Sequence, residues 1–314
     1  MIESRTKSVE SFAEKISRPG KSYKNPLKEL SDLSGIRIIV YYNDEVEKVA
    51  KIIEEEFKII ELENSHQAEN YSADKFGYLS LHNIIKLKDE RLSLPEWKSY
   101  KEFISEIQIR TVLQHSWAAV SHALQYKNES DIPKHLRRKL FRLAGLFELA
   151  DEEFMSVRNK TEMAHINAAK ALAHGDDTLP IDKITLSEFL LKWEKLDNIV
   201  KLMKKIGYSV EPIEDNIDYF AYDYLGSIVY HCERIGIKNF GELKKSLDFN
   251  PESYLKAIKQ ENMEWQVSEG FALLLLLIGS NIDKFSVEDL VAKGWSETTA
   301  NRVIKRAQSN AKKS

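Results

Sequence analysis

The chain of 314 residues contains one cysteine, Cys232, which excludes an intramolecular disulfide framework and any metal site built from several thiolates. It also lacks a long apolar run. The most apolar stretch, Phe271 to Ile278 between Gly270 and Gly279, falls far short of the ~20 residues that cross a bilayer and reads as a buried helix. Residues 1–20 are charged and carry no apolar segment of the secretory kind, so a cytoplasmic location is expected, with no membrane partner. Neither sign of charge dominates: 46 Lys and Arg stand against 49 Asp and Glu, a net of -3, so any polyanion site must be local. Glycine-rich phosphate loops of the P-loop and dinucleotide types are absent, as is any fixed-period repeat.

What is present centres on Ser105 to Thr111. Alternation along a strand sends Glu106, Gln108 and Arg110 to one face and Ile107 and Ile109 to the other, a polar site face backed by an apolar one. After Thr111 the spacing turns helical, and His115, Ala119, His122 and Tyr126 share one stripe. Upstream, Lys7, Ser11 and Lys15 recur every four residues, which on a helix makes a ladder of cation, hydroxyl and cation suited to a polyphosphate. The apolar, β-branched run Gly35 to Tyr42 predicts a buried strand with Asp32 at its mouth and Arg37 within it, and a cation in such a strand needs a carboxylate or a ligand. Residues 43–57 predict an amphipathic helix and 63–74 a polar loop. From Lys75 a further strand is expected, with Tyr78, Ser80 and His82 on one face and Leu79 and Leu81 on the other.

The succession Arg5-x-Lys7 with Ser11 and Lys15, Asp32-x-x-Gly35-x-Arg37, Gly77-Tyr78-x-Ser80-x-His82, Glu106-x-Gln108-x-Arg110-Thr111, and His122 with Tyr126-Lys127 resembles the synthetase domain of the RelA/SpoT family. The spacing from Arg110 to Lys127 is similar to that of small alarmone synthetases, toxic relatives among them. The resemblance implies an α+β fold, a nucleotidyltransferase-like mixed sheet flanked by helices, and Mg²⁺-dependent transfer of the β,γ-pyrophosphate of ATP to the 3′-hydroxyl of GDP or GTP. It places Arg5 and Arg37 at the adenine of ATP and Lys7, Ser11 and Lys15 at its phosphates. Asp32 and Glu106 become the metal-holding catalytic pair, and Lys75, Tyr78, His82, Gln108, Arg110 and His115 fall to the acceptor. Two carboxylates on adjacent strands independently suit a hard cation that bridges phosphate oxygens. No His-Asp pair of the hydrolase kind is visible, so synthesis without built-in hydrolysis is expected. Family members carry helices ahead of the Arg-x-Lys motif, whereas Met1 stands four positions before Arg5. That departure keeps a non-catalytic nucleotide-sensing module as an alternative.

From Asp131 a long helix is expected, its stripe of Leu136, Leu140, Leu143, Phe147, Ala150, Phe154 and Val157 covering the sheet. Lys134, Arg137, Arg138, Lys139 and Arg142 cluster near its start, a candidate docking patch for RNA phosphates, which keeps tRNA as a second acceptor class. The expected domains are 1–172, a linker at 173–183 marked by His174-Gly-Asp-Asp-Thr-Leu-Pro180, and an all-α domain over 184–314. No catalytic constellation is apparent in that last part, which suits a homo-oligomer contact or a regulatory partner. Ser286 and Ser296 are expected helix N-caps, with Gly294 between them.

Overall fold

A computed structural model describes residues 1–18, 20, 22–64, 80–123, 133–211, 223–259 and 265–312. They form two compact units, Met1–Lys160 and Thr161–Ser314. The first is a five-stranded mixed sheet in the order β1-β2-β5-β4-β3, made of Ile2–Thr6 (β1), Ser34–Val40 (β2), Phe57–Asn64 (β3), Leu81–Leu87 (β4) and Ser105–Thr111 (β5). The central pair β2 and β5 is parallel, while β1, β4 and β3 join antiparallel. Helices α1 (Val9–Ile16), α2 (Pro26–Glu29), α3 (Asn43–Glu56), α4 (Asp89–Leu92) and α5 (Val112–Ala123) occupy the connections. The core lies on one face, where Ile107, Ile109, Leu81 and Ile85 meet Val46, Ala50 and Ile53 of α3. That burial commits the opposite face of β5, with Glu106, Gln108 and Arg110, to the site.

Two strands depart from the sequence reading. Residues 2–6 form β1, which the sequence reading does not anticipate, and α1 starts only after Ser8, which is extended at φ -67° and ψ 155° and accepts from the Ser11 backbone N–H at 3.2 Å. Lys7 therefore stands in the connection rather than on the helix. β3 begins where the helix was expected to end, since Phe57 and Ile59 are β-formers that pair with Leu87 and Ile85 of β4, remote in sequence.

The switch from β5 to α5 is built from a reciprocal cap. Thr111 Oγ1 accepts from the Gln114 N–H at 3.1 Å, and Gln114 Oε1 accepts from the Thr111 N–H at 2.9 Å. The Thr111 hydroxyl also donates to the buried Asp151 carboxylate at 2.8 Å, from helix α6 (Lys134–Ala173). α6 is anchored again by Arg158, which pairs with Asp44 at 2.8 Å and lies over the Tyr42 ring. The expected apolar stripe on α6 is displaced. Leu143, Phe154 and Val157 are exposed, whereas Ala144 and Asp151 are buried, because the helix docks through a polar contact that an apolar-periodicity reading passes over. Arg138, Lys139 and Arg142 are exposed, and the side chains of Lys134 and Arg137 lie outside the described residues.

In the second unit, α7 (Lys183–Lys192), α8 (Lys195–Ile206), α9 (Tyr224–Ile235), α10 (Phe240–Ser246), α11 (Glu252–Ile258), α12 (Glu269–Ser280), α13 (Val287–Val291) and α14 (Glu297–Ala311) share one core. The region is helical as expected, with one addition: Ser209–Glu211 (β6) and Gln266–Ser268 (β7) form a short parallel pair. α12 is the buried apolar helix, and Ser286 and Ser296 cap α13 and α14. The chain divides within α6 rather than after it. The 173–183 segment, expected as a linker, is fastened inside the second unit: the Gly241 N–H donates to the Asp177 carbonyl at 2.8 Å and Pro180 bridges Asn239. No helix among the described residues is long and apolar enough to cross a membrane.

His231 on α9 sets an expected pH dependence. Its side chain is fully buried between Tyr230 and Phe285, and neither ring nitrogen has a hydrogen-bond partner among the described residues. Burial is the main reason its pKa is pushed down to about 4; Asp289 opposes this, and Arg234 and Lys293 reinforce it. An unfolded histidine takes up a proton near pH ~6.5. Below that value the unfolded chain binds more protons than the folded one, so stability is fully present above pH ~6.5 and falls as the pH drops toward 4. The loss should reach about 2 kcal/mol at pH 5. His231→Phe should remove that component in denaturant titrations at pH 7.5 and 5, and equal losses in parent and variant would contradict the assignment.

Candidate functional site

The strand register brings the polar residues together. Arg5 of β1, Gly35 of β2 and Glu106 of β5 lie in one row, and Glu3, Arg37, Gln108 and His82 lie in the next. Gly35 projects nothing between Arg5 and Glu106. α1 supplies Ser11 and Lys15, and α5 supplies His115, Ala118 and Ala119. The result is a cleft of about 600 Å³ lined, among the described residues, by six cationic side chains, Arg5, Lys7, Lys15, Arg18, Arg37 and Arg110, against one carboxylate, Glu14.

Arg110 states the electrostatic problem most sharply. It is 6 % exposed, its Nε–H has no partner among the described residues, and its charged form is disfavoured first by burial and then by Arg37, with Glu106 opposing and Arg5 adding to the strain. Gln108 bridges the pair: its Oε1 accepts from Arg37 Nε at 3.4 Å and from Arg110 Nη2. A buried cation with an unused donor beside two like charges is the expected floor of a polyanion site, where the ligand supplies the missing acceptors.

Asp32 holds the opposite wall. Its Oδ2 accepts from Lys7 Nζ at 2.6 Å and from Lys15 Nζ at 2.8 Å, while Oδ1 is buried without a partner among the described residues. Burial pushes its pKa up, but the hydrogen bonds and charges of Lys15 and Lys7 outweigh it and hold the carboxyl below its usual range. Glu106 is likewise lowered: burial raises it, the contact with His82 and a bond from Gln108 prevail, and the Asp32 charge works against ionisation. A hard divalent cation held by these carboxylates would offset the unfavourable charge of Asp32 on Glu106 and give the buried Asp32 Oδ1 a partner. No group of three His, Cys, Asp or Glu side chains poised for a metal occurs among the described residues, so such a cation would complete its shell with water and phosphate oxygens.

Of the residues singled out in the sequence, Arg5, Lys7, Ser11, Lys15, Arg37, Gln108, Arg110 and His115 line this cleft, with Asp32 bonded to two of them. His82 instead contacts Glu106. Lys75 and Tyr78 lie outside the described residues, as do the His122 side chain, Tyr126 and Lys127. Glu14 of α1 and Arg18, just past the end of that helix, join the lining without having been singled out in the sequence. Residues 4–131 match the family model described as the region found in RelA / SpoT proteins. The matched stretch lies within the first unit. All the sequence-derived site residues, Arg5 to His115, fall inside it. The chain is 28% identical over 163 residues to the GTP pyrophosphokinase YwaC of Bacillus subtilis, covering 51% of this chain and 73% of that protein. To the GTP pyrophosphokinase YjbM of the same organism it is 26% identical over 165 residues, 52% of this chain and 74% of that one. Among solved structures, a GTP pyrophosphokinase family protein from Streptococcus pneumoniae is 28% identical, with a TM-score of 0.43 covering 52% of this chain and 77% of that one. The similarity to these relatives covers about half of this chain, as does the RelA/SpoT region's own unit.

Proposed function

We propose that the first unit is a nucleotide pyrophosphokinase that moves the β,γ-pyrophosphate of ATP to the 3′-hydroxyl of GDP or GTP. The observation that carries this reading is the cationic cleft flanked by Asp32 and Glu106 within a RelA/SpoT region. The GTP pyrophosphokinase names of the two Bacillus relatives point the same way. In the reaction the acceptor 3′-oxygen bonds to the β-phosphorus of ATP, the bond from that phosphorus to the oxygen bridging the α-phosphorus breaks, and AMP leaves while the hydroxyl proton passes to solvent. Such a transfer needs mainly alignment and charge neutralisation.

Each group then has a task. Lys7 and Lys15, now on Asp32, turn to the ATP phosphates with Ser11 beside them, and Arg5 and Arg37 flank the adenine. Arg110 and Gln108 face the phosphates from the floor, and His115 borders the acceptor. Lys75 and Tyr78 keep the acceptor roles implied by the resemblance, Tyr78 by stacking on the base. Asp32 and Glu106 would hold Mg²⁺, which would supply charge neutralisation for the transferred group. The acceptor is tested by incubating the chain with labelled ATP, Mg²⁺ and, in turn, GDP, GTP, ATP and tRNA. AMP and a 3′-pyrophosphorylated product are expected with GDP or GTP. Salt-sensitive transfer to tRNA alone would replace the guanine nucleotide as acceptor, and ATP binding without AMP release from any mixture would leave a nucleotide sensor.

A further inference from the structure

β4 and β5 run antiparallel with His82 opposite Gln108 and Ile84 opposite Glu106, so His82 stands diagonally across from Glu106 on the site face. From there His82 Nδ1 lies 3.0 Å from Glu106 Oε1, and its Nε2 lies 2.7 Å from Ser80 Oγ, two residues back along the chain. Both groups are largely enclosed, with 25% of the His82 side chain and 12% of the Glu106 side chain accessible. A carboxylate only accepts, so Nδ1 must carry the proton toward Glu106; a hydroxyl then donates naturally to a bare Nε2. We propose that His82 is a positioning residue for Glu106, its Nδ1–H orienting the carboxylate and Ser80 fixing the ring in that tautomer. This deepens the pyrophosphokinase reading and rests on it for the identity of the reaction. It differs from the acceptor contact implied by the family resemblance, which Nε2 could make only by giving up Ser80.

The chemistry gives the arrangement a purpose. Glu106 feels the unfavourable charge of Asp32, and a carboxylate without a fixed partner is free to rotate about its terminal bond. A donor fixed on one of its oxygens sets the rotation, so the cation meets a prepared pair rather than a mobile one.

Substitutions at one ring position separate this from the acceptor contact. The amide nitrogen of Asn overlays Nδ1 and that of Gln overlays Nε2, so His82→Asn keeps the donor to Glu106 and His82→Gln loses it. In the full chain, kcat and acceptor KM are measured for both variants and for Ser80→Ala, together with Mn²⁺ binding followed by electron paramagnetic resonance in the presence of a non-hydrolysable ATP analogue. His82→Gln should lose ~10–100-fold in kcat and in Mn²⁺ affinity with acceptor KM within about twofold. His82→Asn should retain both within about threefold, and Ser80→Ala should fall between. Equal losses in the Asn and Gln variants, or a change confined to acceptor KM, would overturn the assignment. Mn²⁺ binding that depends on His82 in a chain that releases no AMP would uphold the positioning role and refute the transfer reaction, whereas no Mn²⁺ binding by the parent would overturn both.

Discussion

Asp32→Asn should lower turnover by ~10²–10³-fold while ATP binds as tightly as to the parent or more tightly. The two parts have one cause. In the nucleotide-free chain Lys7 and Lys15 are both spent on Asp32 Oδ2, so a phosphate must compete with that carboxylate for them. Asn keeps the shape but gives up the charge, which frees the lysines for ATP and removes half of the carboxylate pair on which charge neutralisation depends. Lysines that served only to support Asp32 would give the reverse, with weaker ATP binding. Isothermal titration with a non-hydrolysable ATP analogue, beside single-turnover rates, separates the outcomes.

Arg110→Met should cut affinity for the ATP analogue by at least ~10-fold without lowering the melting temperature of the nucleotide-free chain. The guanidinium is buried and repelled by Arg37 and Arg5, with Glu106 and Glu3 opposing, and its Nε–H has no partner among the described residues, so in the absence of ligand burial makes it a burden on the fold. Methionine has similar length and no charge, and replacing a poorly satisfied buried charge by an apolar side chain is neutral or stabilising. The loss should therefore appear only when a polyanion is present, a trade of stability for function. A variant that melts well below the parent and binds nucleotide normally would make Arg110 a structural group.

The site face of β5 was legible because a strand has period two, and Glu106, Gln108 and Arg110 alternate with isoleucines that can only face a core. Asp32 and Arg37 were legible for a related reason, since charges beside an apolar strand need partners. Less legible were features made by contacts remote in sequence. β1 exists because residues 2–6 pair with residues 34–38, and β3 because residues 57–64 pair with residues 81–87. The buried face of α6 includes Asp151, a residue that periodicity assigns to solvent until its Thr111 partner is known. His82 was placed on the correct face, but its partner depends on the register between β4 and β5, which no local pattern encodes.

Transfer of an intact pyrophosphoryl group in the cleft is tested by following both halves of ATP at once. With ATP labelled at the α- and γ-phosphates in separate reactions, and GDP or GTP with Mg²⁺, the α-label should appear only in AMP. The γ-label should appear in an equal amount of guanine nucleotide carrying a 3′-pyrophosphate, identified by phosphorus NMR. ADP with a singly phosphorylated acceptor, or bound ATP that stays intact with every acceptor, would contradict it.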